Sequence, residues 1–383
     1  MKTSSKSRRS SKHSKKKASA KAPVGAHRED HAHHDHGHEH EHSHSHPPPD
    51  PGPMLIQLGT AYVVSSALWV ATELNIADLL RQGPRPVAEL ARSTNTNEDA
   101  LYRVLRVLAM LGVFSETTPR TFALTPPAER LRSDHPQSMR DTVIWLTDPF
   151  HFNIAADLMH SVRTGQPTIE HVTGQKVFDY FPTNPVEYER FHRAMTNLSA
   201  MAIAPILEAY DFSPFRKVVD VAGGHGFVIC EILRRYPKLQ GVLFDLEDVV
   251  GGAEHRICQL ALDGRCRTMA GDFFQSVPEG GDLYVMKSII HDWDDERALK
   301  ILGHCRRALE GKRHGKLVLI ELVVPEGNQP HPAKVIDLEM LFFPGGRERT
   351  EGEYGELFGR AGFRLTRVIP TKSPFSVIEA EAA

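Results

Sequence analysis

Apolar residues between Leu55 and Leu80 recur with a helical period and cover most of the helix circumference, as in helices buried in a core or pressed against a second copy of the chain. Pro84 and Pro86 interrupt the pattern, and a short helix over 87–92 follows. Thr94, Asn95, Thr96 and Asn97 then supply capping oxygens for a further helix, with Glu98 and Asp99 in the first turn, where the dipole favours acids. Leu101, Val104, Leu105, Leu108 and Leu111 form its apolar stripe, and Gly112 stops it. Two short runs, 113–115 and 121–125, predict a two-stranded wing. Three helices and a wing are the order of a winged-helix domain, assigned to 54–134. Its third helix offers only Arg103 and Arg106 to a base edge, so packing or dimerisation is expected of it and nucleic acid is not an expected partner.

Residues 135–216 continue as a helical linker that carries Trp145, His151, Phe152, Met159, His160, Phe178, Phe181, Phe191, Met195 and Met201. Most of these belong to a core. Trp145 and Met195 are taken as lining a pocket for an aromatic ligand, methionine because it adapts its shape.

From 217 to 383 the pattern changes to alternating strands and helices. A buried strand over 218–221 runs into Ala222-Gly223-Gly224-His225-Gly226, a helix over 227–235 follows, and a strand over 241–244 ends in Asp245. Strand, glycine turn, helix, strand and acid make a Rossmann-like α/β unit. The glycines let a ligand approach the backbone, and the helix N-terminus faces it with partial positive charge. The loop lacks both the regular spacing of dinucleotide sites and the Gly-Lys of a nucleotide P-loop. Asp220, at the end of the first strand, would repel a pyrophosphate but suits an ammonium group. S-adenosylmethionine carries one, together with a carboxylate and a sulfonium.

Composition changes the picture only at the N-terminus. Residues 1–53 contain no Leu, Ile, Phe, Tyr, Trp or Cys, and carry 10 Lys/Arg against 6 Asp/Glu. Such a segment cannot bury enough surface to offset the entropy of ordering it, so a disordered tail is expected. Its basic start lacks the apolar region of a secretory signal, while an organelle-targeting role stays open. Nine His between His31 and His46 give weak divalent-metal affinity without a defined coordination geometry. The four cysteines form no CxxC pair, which fits a reducing, cytoplasmic setting. The apolar stretch 61–71 is too short for a membrane span, which takes about 20 residues.

Beyond the tail, VVDVAGGHG, GDFFQSVPEGGDLYVMKSIIHDWDDE, LVLIELVVPEG, DLEMLFFPGGRERTEGEYGELFGRAGF and SPFSVIEA resemble, block by block and in order, the plant-type and acetylserotonin-type O-methyltransferases. The resemblance spans 54–383. It implies a class I methyltransferase domain, S-adenosylmethionine as cofactor, a homodimer, and a hydroxylated, aromatic or polyketide-like small molecule as substrate. It implies that Asp220, Gly223, Gly224 and Gly226 surround the cofactor's methionyl part, that Asp245 holds the ribose, and that Asp272 and Phe273 hold the adenine. Lys287 matches a lysine near the cofactor, His291 the general base, Asp292 its neighbour on the substrate side, and Glu321 and Glu348 the acids flanking the histidine. Ala222 departs from the glycine of many relatives, and a shifted loop at most is expected there. No metal is implied for the chemistry.

The chemistry agrees with these positions. A phenol titrates near roughly 10 and histidine near roughly 6.5, so a neutral imidazole can take the hydroxyl proton as the oxygen attacks an electrophilic methyl. A carboxylate on the other ring nitrogen fixes the tautomer. Outside these blocks His291 would read as a capping residue, Glu348 as a surface charge and Trp293 as core. Two other functions remain readable: a relative repurposed for cofactor-assisted decarboxylation or hydroxylation, and a non-catalytic nucleoside sensor that contacts nucleic acid.

Overall fold

The computed structural model describes residues 50–383. The basic and His-rich stretches of the tail, with the disorder and metal affinity expected of them, lie outside the described residues. Gly52 and Pro53, counted with the tail, already open a helix, Gly52–Gly59. Proline is tolerated in a first turn, where its missing N–H has no partner to lose.

Helices Ala61–Glu73 and Ile76–Leu79 follow. Met54, Leu55, Ile56, Leu58 and Tyr62 are each more than half exposed, so burial within the chain begins only at Ala67. Of the two settings expected for this apolar segment, the chain's own core therefore takes only the second half. Helices Val87–Thr94 and Glu98–Met110 complete the domain, and Asn97 caps the latter by accepting from the Ala100 N–H at 2.9 Å. Leu101, Leu105 and Leu108 pack with Ile76 and Leu90, whereas Leu111 lies past the helix end and is exposed. The wing has three strands where two were expected: β1 (Arg85–Pro86), β2 (Phe114–Thr118) and β3 (Thr121–Leu124), in the order β1-β3-β2. Pro86, one of the prolines that read as a break, lies in its edge strand, where a missing donor is harmless.

The main sheet contains β4 (Lys217–Val221), β5 (Gln240–Asp245), β6 (Cys266–Ala270), β7 (Leu283–Lys287), β8 (Lys316–Glu321), β9 (Phe363–Pro370) and β10 (Ser376–Ala382). Their order is β6-β5-β4-β7-β8-β10-β9; the first five run parallel, and β10 is antiparallel to both neighbours. Alternate residues feed opposite faces. Val218 and Leu243 join a core with Ile229 and Leu233, while Val219 and Val242 join one with Tyr284 and Phe358. From β4 the chain winds outward through β5 and β6, then returns to lay β7 on the other side. That reversal opens a crevice at the carboxyl ends of β4 and β7, the general position of ligands in such sheets.

One helix, Pro185–Ala209, ties the helical region to this sheet. Its Ala194 lies in an aromatic cluster with Trp145, Phe181, Phe342 and Phe343, and its Ala202 and Ile206 lie in the core on the face of the sheet that also holds the helix Phe227–Arg235. Among the described residues no single helix is long and apolar enough to cross a membrane; the pair Gly52–Gly59 and Ala61–Glu73 is bent by 40° at its break.

Candidate active site

The residues assigned to the cofactor gather at the carboxyl ends of β4, β5, β6 and β7. Asp220 is buried at the end of β4 and one of its oxygens has no partner. Burial pushes its carboxyl up to about 7, with Asp245 adding to the rise and Lys287 opposing it. Gly223 must be glycine, since a Cβ there would lie 2.4 Å from Leu243 and 2.6 Å from Asp220. Ala222, Gly224 and Gly226 all take positive φ, at 56°, 57° and 71°. The substitution at 222 therefore does more than shift a loop: alanine adopts the left-handed conformation itself, at about 1–2 kcal/mol. The Gly224 N–H donates to Asp245 at 2.8 Å, and the carboxyl of Asp245 is raised by burial against that bond. Asp272, beyond β6, accepts from the Phe274 N–H at 2.7 Å. A buried acid with a spare oxygen, a cradle that admits no Cβ and a second acid on the next strand fit a cationic nucleoside.

Lys287 closes this side at the end of β7, its Nζ 4.8 Å above the Phe375 ring. Burial lowers it to about 8, with Glu321, Asp220 and Asp292 opposing.

His291 lies in a short turn after β7, and three acids converge on it. Its Nδ1 is 2.7 Å from Glu348 Oε1 and 3.8 Å from Glu321 Oε2, and its Nε2 is 3.5 Å from Asp292. Glu348 is thus the acid in contact. The other oxygen of Glu321 accepts from the Ile289 and Ile290 N–H groups, each at 3.0 Å, and so shapes the turn that presents the ring. Burial alone would lower the histidine, but Glu348, Glu321 and Asp292 outweigh it and raise His291 to about 10. The expected imidazole near its ordinary value is corrected on this point, because the sequence could not count the acids that surround it. Burial raises Glu321 and Asp292 in turn, and the imidazolium opposes the rise. His291, Glu321 and Glu348 sit within a spacing that a metal ion also accepts. One oxygen of each acid, Glu321 Oε2 and Glu348 Oε2, is buried without a hydrogen-bond partner.

The turn is clamped from the far side. The Arg347 N–H donates to the His291 carbonyl at 2.7 Å, and a Cβ on Gly346 would lie 2.0 Å from that same oxygen. Arg349, almost wholly buried, donates to the carbonyls of Ile290 and Trp293 at 3.2 and 3.0 Å and pairs with Asp295 at 2.9 Å. The Glu348 N–H donates to Asp337 at 2.9 Å.

Trp145 is enclosed by His151, Phe181, Phe191 and Phe343, all with ring centroids within 6 Å, and Met195 packs partly exposed on the same cluster. Phe343 leads through Pro344 and Gly345 to Gly346, so the cluster adjoins the turn that carries His291.

Several residues were not singled out from the sequence. Trp293, read as core, is buried with an unpartnered indole N–H and lies edge-on to Phe273 at 5.9 Å, beside the pair assigned to adenine. His192 stacks on His225 of the glycine loop at 4.9 Å, and burial together with His225 lowers it to about 4. Tyr188, one turn earlier, is raised to about 12 by burial and the nearby Asp248 and Asp245. His225 in the loop was visible, but nothing local marked the helix that covers it. His151 Nε2 lies 2.5 Å from Glu339 Oε1 inside the aromatic cluster, without the geometry of a hydrogen bond.

Residues 155–364 match the family model of the O-methyltransferase domain, and residues 56–134 match that of the O-methyltransferase dimerisation domain. The chain is 42% identical over 327 residues to the phenazine O-methyltransferase PhzM of Lysobacter antibioticus, across 85% of this chain and 95% of that one. The crystal structure of LaPhzM superposes with a TM-score of 0.82 at 41% identity, covering 87% of this chain and 100% of that one. NcsB1, an O-methyltransferase from neocarzinostatin biosynthesis solved with S-adenosylmethionine and 2-hydroxy-5-methyl naphthoic acid, gives 0.70 at 32% identity over 83% and 96%.

Proposed function

Because the chain belongs to the S-adenosylmethionine-dependent O-methyltransferase family, we propose that it methylates a hydroxyl on an aromatic small molecule with His291 as general base. The observation that carries this reading is the 2.7 Å pairing of His291 Nδ1 with Glu348. It occupies one ring nitrogen with a carboxylate and leaves Nε2, beside Asp292, for the substrate proton.

When bound, S-adenosylmethionine supplies an electrophilic methyl on a sulfonium. Asp220, Gly223, Gly224, Gly226, Asp245, Asp272, Phe273 and Lys287 would hold it. His291 then has two tasks, to align the hydroxyl and to accept its proton. With its affinity for protons raised to about 10, it matches a phenol of roughly 10, so the transfer is close to balanced. Glu348 and Glu321 stabilise the imidazolium that results. General base assistance of this kind is worth about 10²–10⁴ in rate, and alignment adds to it. The aromatic cluster beside the His291 turn supports a planar substrate, and the phenazine and naphthoic acid named for the relatives are of that kind. The exposed apolar face of the first helices supports a homodimer.

Hydroxylated phenazines and naphthoic acids, each incubated with methyl-labelled S-adenosylmethionine, test the reading, with His291→Ala as control. Labelled ether formed by the wild type and cut about 10²–10⁴-fold in the variant is expected. Undiminished transfer by His291→Ala would overturn it.

A further inference from the structure

Away from the catalytic cluster, the described residues bring three imidazole and carboxylate groups within metal-ligand spacing at one other place. Asp157 precedes the helix Leu158–Thr164, His160 lies within it, and His171 lies in the next helix, Thr168–Thr173. One ligating atom from each falls within 4.8 Å of the others. His171 Nδ1 is 2.9 Å from Asp157, and the His160 and His171 rings stack in parallel with centroids 4.1 Å apart.

The backbone behind these side chains is fixed. Thr168 Oγ1 lies 2.8 Å from Ser161 Oγ and donates to the Asp157 carbonyl at 3.2 Å, and both hydroxyl-bearing residues are buried. Ile169 is anchored in the aromatic cluster. The ligand atoms thus stand on a rigid base while the side-chain ends face solvent, with His171 about half exposed.

We propose that Asp157, His160 and His171 form a surface site for a divalent late transition metal of the zinc type. Two nitrogens and one carboxylate at about 2.0–2.2 Å suit that ion, with water completing its shell. The ion joins two helices whose connecting loop bears on the catalytic region. Pro167 packs on Gly345, where a Cβ would come within 2.6 Å of it, and the next residue, Gly346, abuts the His291 carbonyl. Binding therefore braces the substrate side of the molecule and takes no part in the chemistry.

Calorimetric titration with ZnCl₂ tests this on the fragment from residue 50 onward. Residues 53–383 form one compact unit, and 87% of the chain accounts for all of LaPhzM, so the fragment folds without the tail histidines that would compete for zinc. One equivalent at micromolar affinity or tighter is expected. His160→Ala and His171→Ala should each weaken it by about tenfold or more, while His314→Ala, an exposed histidine elsewhere, leaves it unchanged. Melting curves without zinc check that the variants fold. In the full chain the same two substitutions remove one equivalent from the total. Absence of binding to the fragment, or binding that survives the double substitution, overturns the site.

Discussion

Nδ1 of His291 and Oε1 of Glu348 lie 2.7 Å apart, though 57 positions separate the two residues in the chain. The contact is over-determined. The Arg347 N–H holds the His291 carbonyl, and Asp337 holds the Glu348 N–H, so backbone bonds on either side set the register of the two carriers.

That contact sets the pH dependence. His291 is held protonated up to about 10, so its base form dominates only above that pH, and kcat/KM should climb through the alkaline range in the wild type. Glu348→Gln removes one negative charge, so the ascending limb should move to lower pH while kcat falls by about 10–10³. For stability the sign is the reverse. The folded pKa lies above the unfolded value, so the stabilisation is full below about 6.5 and is lost as pH rises through about 10. A pH–rate profile whose limb stays in place in Glu348→Gln would separate the base from His291.

Glu321 acts through the backbone. Glu321→Gln keeps a carbonyl oxygen for the Ile289 and Ile290 N–H groups, so its stability should stay within about 1 kcal/mol of the parent. Glu321→Ala leaves both donors buried and unpaired and should lose about 2–4 kcal/mol. Urea unfolding of the two variants compares them directly.

Asp220 couples cofactor binding to protons. Burial raises it to about 7, so the folded chain holds this proton more tightly than the unfolded one, and the contribution to stability declines as pH rises from about 4 to about 7. A cationic ligand draws the carboxyl back to its charged form. S-adenosylmethionine affinity should therefore increase from pH 6 to 8, and binding near pH 6 should release a proton. Calorimetry in buffers of different ionisation heat measures that release, and identical heats in all buffers would refute the coupling. Asp220→Asn should abolish the effect and stabilise the unliganded enzyme at pH 8.

The apolar N-terminal face predicts assembly. Ile56, 69% exposed in the single chain, and Leu58, 63% exposed, are the positions to alter. Ile56→Glu with Leu58→Glu should shift the enzyme from dimer to monomer in sedimentation velocity, with little change in the melting of the monomer itself. A sedimentation coefficient that does not change assigns the face to another partner.

What could be read from the sequence was local in the chain. The run from Val218 to Asp245 states strand, turn, helix and strand within one stretch, and the helix Phe227–Arg235 begins and ends where its pattern says. Asn97 as a cap was equally readable, because its donor is three residues away. Contacts that need the fold could not be read. Which acid meets His291, the burial of Arg349 under its turn, and the cover of Tyr188 and His192 over the glycine loop all join distant segments. The raised proton affinity of His291 belongs with these, since it is a sum over neighbours. Ala222 was visible as a departure, but its left-handed backbone was not, because alanine carries no signal for it.

The helix Pro185–Ala209 spends its first half among aromatic rings and its second half under the sheet. A chimera that exchanges the acceptor-binding segment with a relative therefore cannot be joined at residue 216. It would graft Ala202 and Ile206 onto a foreign sheet surface. A junction near the middle of this helix, between Met195 and Ala202, lets each parent keep the half that its own core was shaped around.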